Sequence, residues 1–124
     1  RRSVKNGAQF IAVITNDAWW GNTSGKEQHL LYAKLRAIEN RRWVVRSANT
    51  GISAFIDQRG DIKQRSKWWV PTALKADVNL NSDITFYTRN GDIIAVLASF
   101  IGLVMIFIIP VQDYKRRKQL KVGS

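Results

Sequence analysis

The sequence predicts an α/β fold followed by one membrane-spanning helix, on three observations. Residues 9–15 are a continuous apolar, β-branched run bounded by Gly7 and Asn16, the pattern of a strand buried on both faces. Residues 27–41 carry apolar side chains at helical spacing and a second apolar run starts at Trp43, so strand, helix and strand follow in order. Residues 93–111 hold no charged side chain, and 19 helical residues span about the 30 Å of a bilayer core.

At 124 residues the chain has the length of one small domain. Twenty Lys and Arg against nine Asp and Glu give a formal charge of +11, which favours acidic partners, either nucleic acid or anionic lipid. With no cysteine and one histidine, these residues can build no disulfide, cysteine–zinc site, cysteine nucleophile or all-histidine metal centre, and no cofactor is expected. The chain opens on Arg1-Arg2 without methionine or an apolar leader, and is expected to be a piece of a longer protein.

Residues 1–7 are polar and basic, suited to a connector or a helix end. After the first strand, Asn16-Asp17-Ala18-Trp19-Trp20-Gly21 is a polar loop with two adjacent tryptophans, and loops at the ends of buried strands are where function concentrates. Ser24 and Glu27 have capping-box spacing for the helix that follows. Leu30, Leu31, Ala33, Leu35, Ala37 and Ile38 make its apolar face. Lys34, Arg41 and Arg42 fall outside that face, and the last two suit the negative end of the helix dipole.

Residues 43–48 read as a strand, and Asn49-Thr50-Gly51 as a tight turn with glycine for positive φ. Residues 52–57 and 62–65 pair as a hairpin across Gln58-Arg59-Gly60-Asp61. Trp68-Trp69-Val70-Pro71 is a loop that exposes aromatic bulk. Residues 73–80 alternate, placing Leu74, Ala76, Val78 and Leu80 on one side of a half-buried strand, and residues 81–91 are polar and irregular.

Lys115, Arg116, Arg117, Lys118 and Lys121 follow the uncharged span, so the positive-inside rule puts the tail in the cytoplasm and residues 1–90 on the other face. These five charges explain part of the +11 as topology signal and lipid-headgroup contact, with no nucleic acid needed. The competing reading of the span, a buried core helix, is disfavoured by its length and flanks.

Asp17 and His29 with a serine formally permit a hydrolase triad. No Gly-x-Ser-x-Gly elbow is present, and His29 lies in the first turns of the helix near no obvious nucleophile. Its simpler role is lining or packing beneath the Trp19 loop. A nucleic-acid surface would use Arg36, Arg41, Arg42 and Arg46 with Trp19, Trp20 and Trp43, but the span and its outward-facing part argue against it. Trp68 and Trp69 also suit a rim at the membrane interface. Arg36 and Glu39, three apart on the helix, either pair with each other or orient a loop in an active site.

Four ordered motifs carry a resemblance. Thr15-Asn16-Asp17-Ala18-Trp19-Trp20-Gly21, Gln28-His29-Leu30, Leu35-Arg36-Ala37-Ile38-Glu39-Asn40-Arg41-Arg42 and Arg46-Ser47-Ala48-Asn49-Thr50-Gly51-Ile52-Ser53 closely resemble the apolipoprotein N-acyltransferases. These are bacterial inner-membrane enzymes built on a nitrilase (carbon–nitrogen hydrolase) domain, and the resemblance covers residues 8–110. The Trp19-Trp20 and Trp68-Trp69 pairs look like the Bacteroidetes branch. Lys26 departs from the family, which often has proline at that first turn; this bears on helix entry and not on chemistry.

The resemblance implies that residues 1–90 are the C-terminal portion of a periplasmic α-β-β-α sandwich, which supplies a layer on each face of the first strand. Residues 91–112 would be a transmembrane helix in the bacterial inner membrane and residues 113–124 a basic cytoplasmic tail. The implied reaction is a ping-pong acyl transfer. A cysteine takes an acyl chain from a phospholipid as a thioester, then passes it to the amine of an apolipoprotein's diacylglyceryl-cysteine.

The family's catalytic glutamate, lysine and cysteine would precede Arg1, so no catalytic residue is assigned here and this chain alone is expected to be inactive. What carries over is lining and support: Asn16, Asp17, Trp19 and Trp20 in the loop facing the nucleophile, His29, Arg36 and Glu39 on the helix behind it, and Arg46, Asn49, Thr50 and Gly51 alongside. Trp19 would wall the acyl or headgroup site, and Asn16 would hold the loop. The implied partners are the phospholipid acyl donor, the apolipoprotein acceptor and membrane lipids. The alternative is a membrane-anchored, non-catalytic binding module derived from the nitrilase fold.

Overall fold

A strand–helix–strand crossover organises the first part of the chain. The computed structural model describes the backbone of residues 1–122 and the side chains of residues 1–110, and it divides into two units, Arg1–Arg89 and Asn90–Ser124. In the first unit a single helical turn, α1 (Arg2–Lys5), buries Val4 and leads to β1 (Ile11–Thr15). A 3₁₀ turn (Ala18–Trp20) then precedes α2 (Gly25–Asn40) and β2 (Val44–Ala48).

β1 and β2 lie parallel, Ile11 opposite Val44 and Thr15 opposite Ala48. Parallel neighbours need a crossover longer than a tight turn, and α2 supplies it. β3 (Ala54–Ile56) and β4 (Ile62–Arg65) add antiparallel pairs, giving one mixed four-stranded sheet in the order β1-β2-β3-β4.

The core lies between α2 and one face of this sheet. Leu30, Ala33 and Ala37 of α2 meet Val44, Ile52, Ala54 and Ile56, ringed by Ile11, Val13, Ile62 and Trp68. The alanines let helix and sheet approach closely. Leu30, Ile52 and Ile56 are fully buried, each worth about 1.5–3 kcal/mol. The hairpin turn is built on Asp57, whose Oδ1 accepts from the Arg59 and Asp61 amides at 2.8 and 2.9 Å. Gly60 takes φ +86°, and a Cβ there would collide with Ile38 of α2.

Several expectations need correction. The first strand starts at Ile11 and is covered on one face only: Ile14, pointing away from α2, is 89% exposed. Among the described residues β1 pairs with β2 alone, and no second layer covers that side. The apolar face of α2 also splits. Its inward stripe is Leu30, Ala33, Ala37 and Asn40, while Leu31, Leu35 and Ile38 stand about half exposed.

The capping box does not form. Ser24 is already helical and makes no side-chain cap bond, the Gly25 amide donates to Thr23 Oγ1, and Glu27 pairs with Arg65 at 2.9 Å. Arg42 sits at the negative end of α2 as expected, but it is buried there. It is 1% exposed and donates to the carbonyls of Ala8, Asn40, Arg41 and Asp83, collecting otherwise orphaned acceptors.

Residues 73–80 show the expected alternation, with Leu74, Ala76 and Val78 half-buried, but they form no strand and Leu80 is exposed. Residues 81–91 are more ordered than their polarity suggested. They contain α3 (Phe86–Asn90), and Thr88, fully buried, donates to Asn40 Oδ1 while Thr85 donates to the Glu39 carbonyl.

The second unit is α4 (Ile93–Val122), opened by Asp92, whose Oδ1 accepts from the Ala95 amide at 3.0 Å. Ile93–Pro110 has mean hydropathy 2.8 and is long and apolar enough to cross a membrane. No side chain of that stretch is buried, unlike a core helix. Pro110 lacks an amide, which leaves the Ile106 carbonyl without its helical donor. The basic side chains expected in the cytoplasmic tail lie outside the described residues.

Candidate functional site

The loops after β1 and β2 leave the carboxyl ends of two parallel strands, where ligands of open α/β sheets bind. Three polar side chains from three elements meet beneath them, two of them buried and His29 partly exposed. Asp17, fully buried, follows β1, Arg46 lies on the α2-facing side of β2, and His29 projects from the second turn of α2. Arg46 donates from Nη2 to Asp17 Oδ2 at 2.6 Å and from Nε to the Ile52 carbonyl at 3.0 Å. His29 Nδ1 lies 2.8 Å from Asp17 Oδ1, which also accepts from the Thr15 hydroxyl at 3.1 Å.

An ionised carboxylate only accepts, so the hydrogen belongs on His29 Nδ1. Arg46 Nη2, 3.2 Å from that nitrogen, directs its donors at the carboxylate. In the neutral ring this leaves Nε2 as the acceptor, with no hydrogen-bond partner among the described residues. Burial pushes the Asp17 carboxyl up. The His29 bond, the Arg46 charge and bond, and the Thr15 hydroxyl outweigh it and hold the pKa below the usual carboxylate value.

This cluster fixes both loops. Asn16 Oδ1 accepts from the Ala18 amide at 3.1 Å and from the Thr50 hydroxyl at 2.9 Å, so one side chain ties the Trp19 loop to the turn after β2. The Asn49 amide donates to the Thr15 carbonyl at 3.0 Å. Gly51 sits against the Asp17 carboxylate, and a Cβ there would run into it. This corrects the glycine's expected role: Gly51 is not at positive φ, and close approach is what requires it. Gly51→Ala is expected to cost about 1–3 kcal/mol, the scale of overpacking. Denaturant unfolding of the full-length protein checks it, and an unchanged midpoint would remove the steric argument.

Trp20 and Trp19 divide the labour. The Trp20 ring lies against Gly25 at the start of α2, and its carbonyl accepts from Thr23 Oγ1 at 2.6 Å. Trp19 is left 86% exposed, projecting from the tethered loop.

The structure thus brings Asn16, Asp17, Trp19, Trp20, His29, Arg46, Asn49, Thr50 and Gly51 together. Arg36 and Glu39 do not join them. Seven residues of helix put Arg36 about 10 Å along α2 from His29. It pairs with Glu39 at 2.6 Å, as the spacing of three on the helix predicts.

Sequence reasoning missed Thr15, whose signal was its place two residues before Asp17 in an extended chain. Trp68, expected as exposed aromatic bulk, instead packs on the core under the Lys26 ammonium, 4.6 Å from the ring centroid.

Together these features define an α/β protein whose tethered loops gather at the carboxyl ends of parallel strands. Residues 1–85 match the model of the carbon-nitrogen hydrolase family, and the chain belongs to that family. Within it the chain is similar to the apolipoprotein N-acyltransferase of Chlorobaculum tepidum, 46% identical over 91 residues that are 73% of this chain and 17% of that protein. It is similar also to that of Geobacter metallireducens, 41% identical over 95 residues, 77% of this chain and 18% of that protein. Apolipoprotein N-acyltransferase 1 of Treponema denticola is 34% identical over 119 residues, 94% of this chain and 22% of that protein. The chain therefore spans about a fifth of the length of these curated relatives.

Proposed function

We propose that these residues belong to a membrane N-acyltransferase that moves a phospholipid acyl chain to the amine of an apolipoprotein's diacylglyceryl-cysteine. The observation that carries the reading is the joining, in one short chain, of a carbon-nitrogen hydrolase segment to a helix apolar enough to cross a membrane. An enzyme acting on a lipid ester and a lipidated acceptor needs both.

The reaction runs in two displacements. A cysteine thiolate attacks the phospholipid ester carbonyl, and the lysophospholipid leaves with the proton. The acceptor amine then attacks the thioester, forming the amide and returning the thiol. These 124 residues contain no cysteine, so the nucleophile lies elsewhere and this chain supplies walls and support. Trp19 borders the reacting acyl group, Asn16 holds its loop, and the Asp17–His29–Arg46 cluster holds both loops to the sheet. Residues 1–90 would be the C-terminal part of a periplasmic α-β-β-α sandwich, the exposed face bearing Ile14 meeting the second sheet. Residues 91–112 would span the bacterial inner membrane and residues 113–124 would lie in the cytoplasm.

The test uses the full-length protein in detergent with a phospholipid labelled in one acyl chain and a diacylglyceryl-cysteine peptide. The label should pass to the peptide amine through a hydroxylamine-sensitive protein adduct. An intact fold that binds both lipids and transfers nothing would favour the non-catalytic module instead.

A further inference from the structure

A groove of about 510 Å³ lies beside the turn after β2, within the usual size of ligand pockets. Its walls include Ser47, Asn49, Thr50, Ser66, Trp69 and Thr72. It is continuous with the site already described, because Thr50 also holds Asn16 and hence the Trp19 loop.

Two observations mark it as more than a crease. Trp69 adopts φ +62°, a left-handed conformation that costs a bulky residue about 1–2 kcal/mol. Neither glycine nor asparagine stands there, so the fold accepts strain to place an aromatic wall; such strain collects at ligand sites. The loop is set from both sides, by Thr72 Oγ1 donating to the Val70 carbonyl at 3.0 Å and by Trp68, whose ring centroid is 5.2 Å from that of Trp69. In addition, the Asn49 side-chain amide, exposed at the turn, has no hydrogen-bond partner among the described residues.

The chemistry of the lining selects the occupant. The chain carries +11, yet no residue lining this groove is charged. A phosphate headgroup would call for Arg or Lys. An acyl chain would desolvate the hydroxyls and amides without return. A peptide backbone offers a donor and an acceptor that match the Asn49 side-chain amide, and its side chains can lie on the Trp69 ring.

We propose that this groove holds the acceptor's peptide segment that follows the modified cysteine, in extended form. This rests on the acyl-transfer reading above. The full-length protein is assayed with two acceptors, diacylglyceryl-cysteine amide and diacylglyceryl-cysteine followed by a short neutral peptide. Trp69→Gly is the informative variant, because glycine takes φ +62° freely and the loop keeps its path.

The kcat/KM ratio of peptide to truncated acceptor should fall about tenfold in Trp69→Gly, the effect of losing an aromatic anchor. Trp69→Phe should recover most of it, and Asn49→Ala should lower the ratio in the same direction. An unaltered ratio, an equal loss for both acceptors, or a change confined to the KM of the phospholipid donor would each overturn the proposal. Acylation of neither acceptor by the wild type would overturn the acyl-transfer reading itself, and this inference with it.

Discussion

Asp17→Ala is expected to lower the stability of the full-length protein by about 3–5 kcal/mol, because it leaves the Arg46 guanidinium buried without its counter-charge. Both side chains are almost fully buried, so water cannot take the carboxylate's place. Truncating only one partner of a surface pair such as Arg36–Glu39 should change stability by less than about 1 kcal/mol. Denaturant midpoints of the two variants compare these directly.

The pH dependence should agree. The folded Asp17 carboxyl titrates below its ordinary value of 3.8, so its share of stability is present above that pH and is lost as pH falls through the folded value. Asp57 is shifted the same way: burial raises it, but the Lys63 ammonium and the Asp61 and Arg59 amides prevail. Wild-type stability should therefore decline as pH falls below about 4, and Asp17→Ala should decline less steeply. A parallel decline would separate Asp17 from the acid response.

Trp19→Ala is expected to slow acyl transfer about thirtyfold while leaving the unfolding midpoint close to wild type. The rate effect corresponds to about 2 kcal/mol, the scale of a buried aromatic anchor lost from a binding surface. The stability expectation follows from exposure: at 86% exposed, the Trp19 ring packs on little of its own chain. Trp20→Ala should do the reverse, loosening the first turn of α2 where its ring meets Gly25. Equal destabilisation by the two substitutions would contradict this division of labour.

The elements that periodicity specifies were legible in the sequence: β1, α2, β2, the 54–65 hairpin and α4. Alternation at 73–80 reported the half-burial of Leu74, Ala76 and Val78 but not the exposure of Leu80, and it did not report hydrogen bonding. A period of two shows which side faces the protein, whereas a ladder needs a neighbouring strand. Ser24 and Glu27 had the spacing of a capping box, yet Thr23 accepts at the helix start and Arg65 holds Glu27, since spacing does not reveal competing partners.

Asp17, His29 and Arg46 could each be named from sequence. Their meeting could not, because they lie 12 and 29 positions apart and join only through the crossover. Gly51 was read as a turn glycine, and its reason lies in the carboxylate beside it. Trp69 offered no signal at all, because nothing in its neighbours predicts a tryptophan at positive φ.

We propose above that the Trp19 loop lines an acyl-transfer site whose nucleophile lies elsewhere in the protein. A photo-reactive phenylalanine analogue at position 19 of the full-length protein, illuminated with labelled phospholipid and acceptor, tests it most directly. Position 36, about 10 Å away along α2 and outside the loop cluster, is the control. The prediction is a labelled adduct at position 19, competed by unlabelled acceptor, and none at position 36. Equal labelling at both positions, or none at position 19 in a protein that still transfers acyl chains, would contradict it.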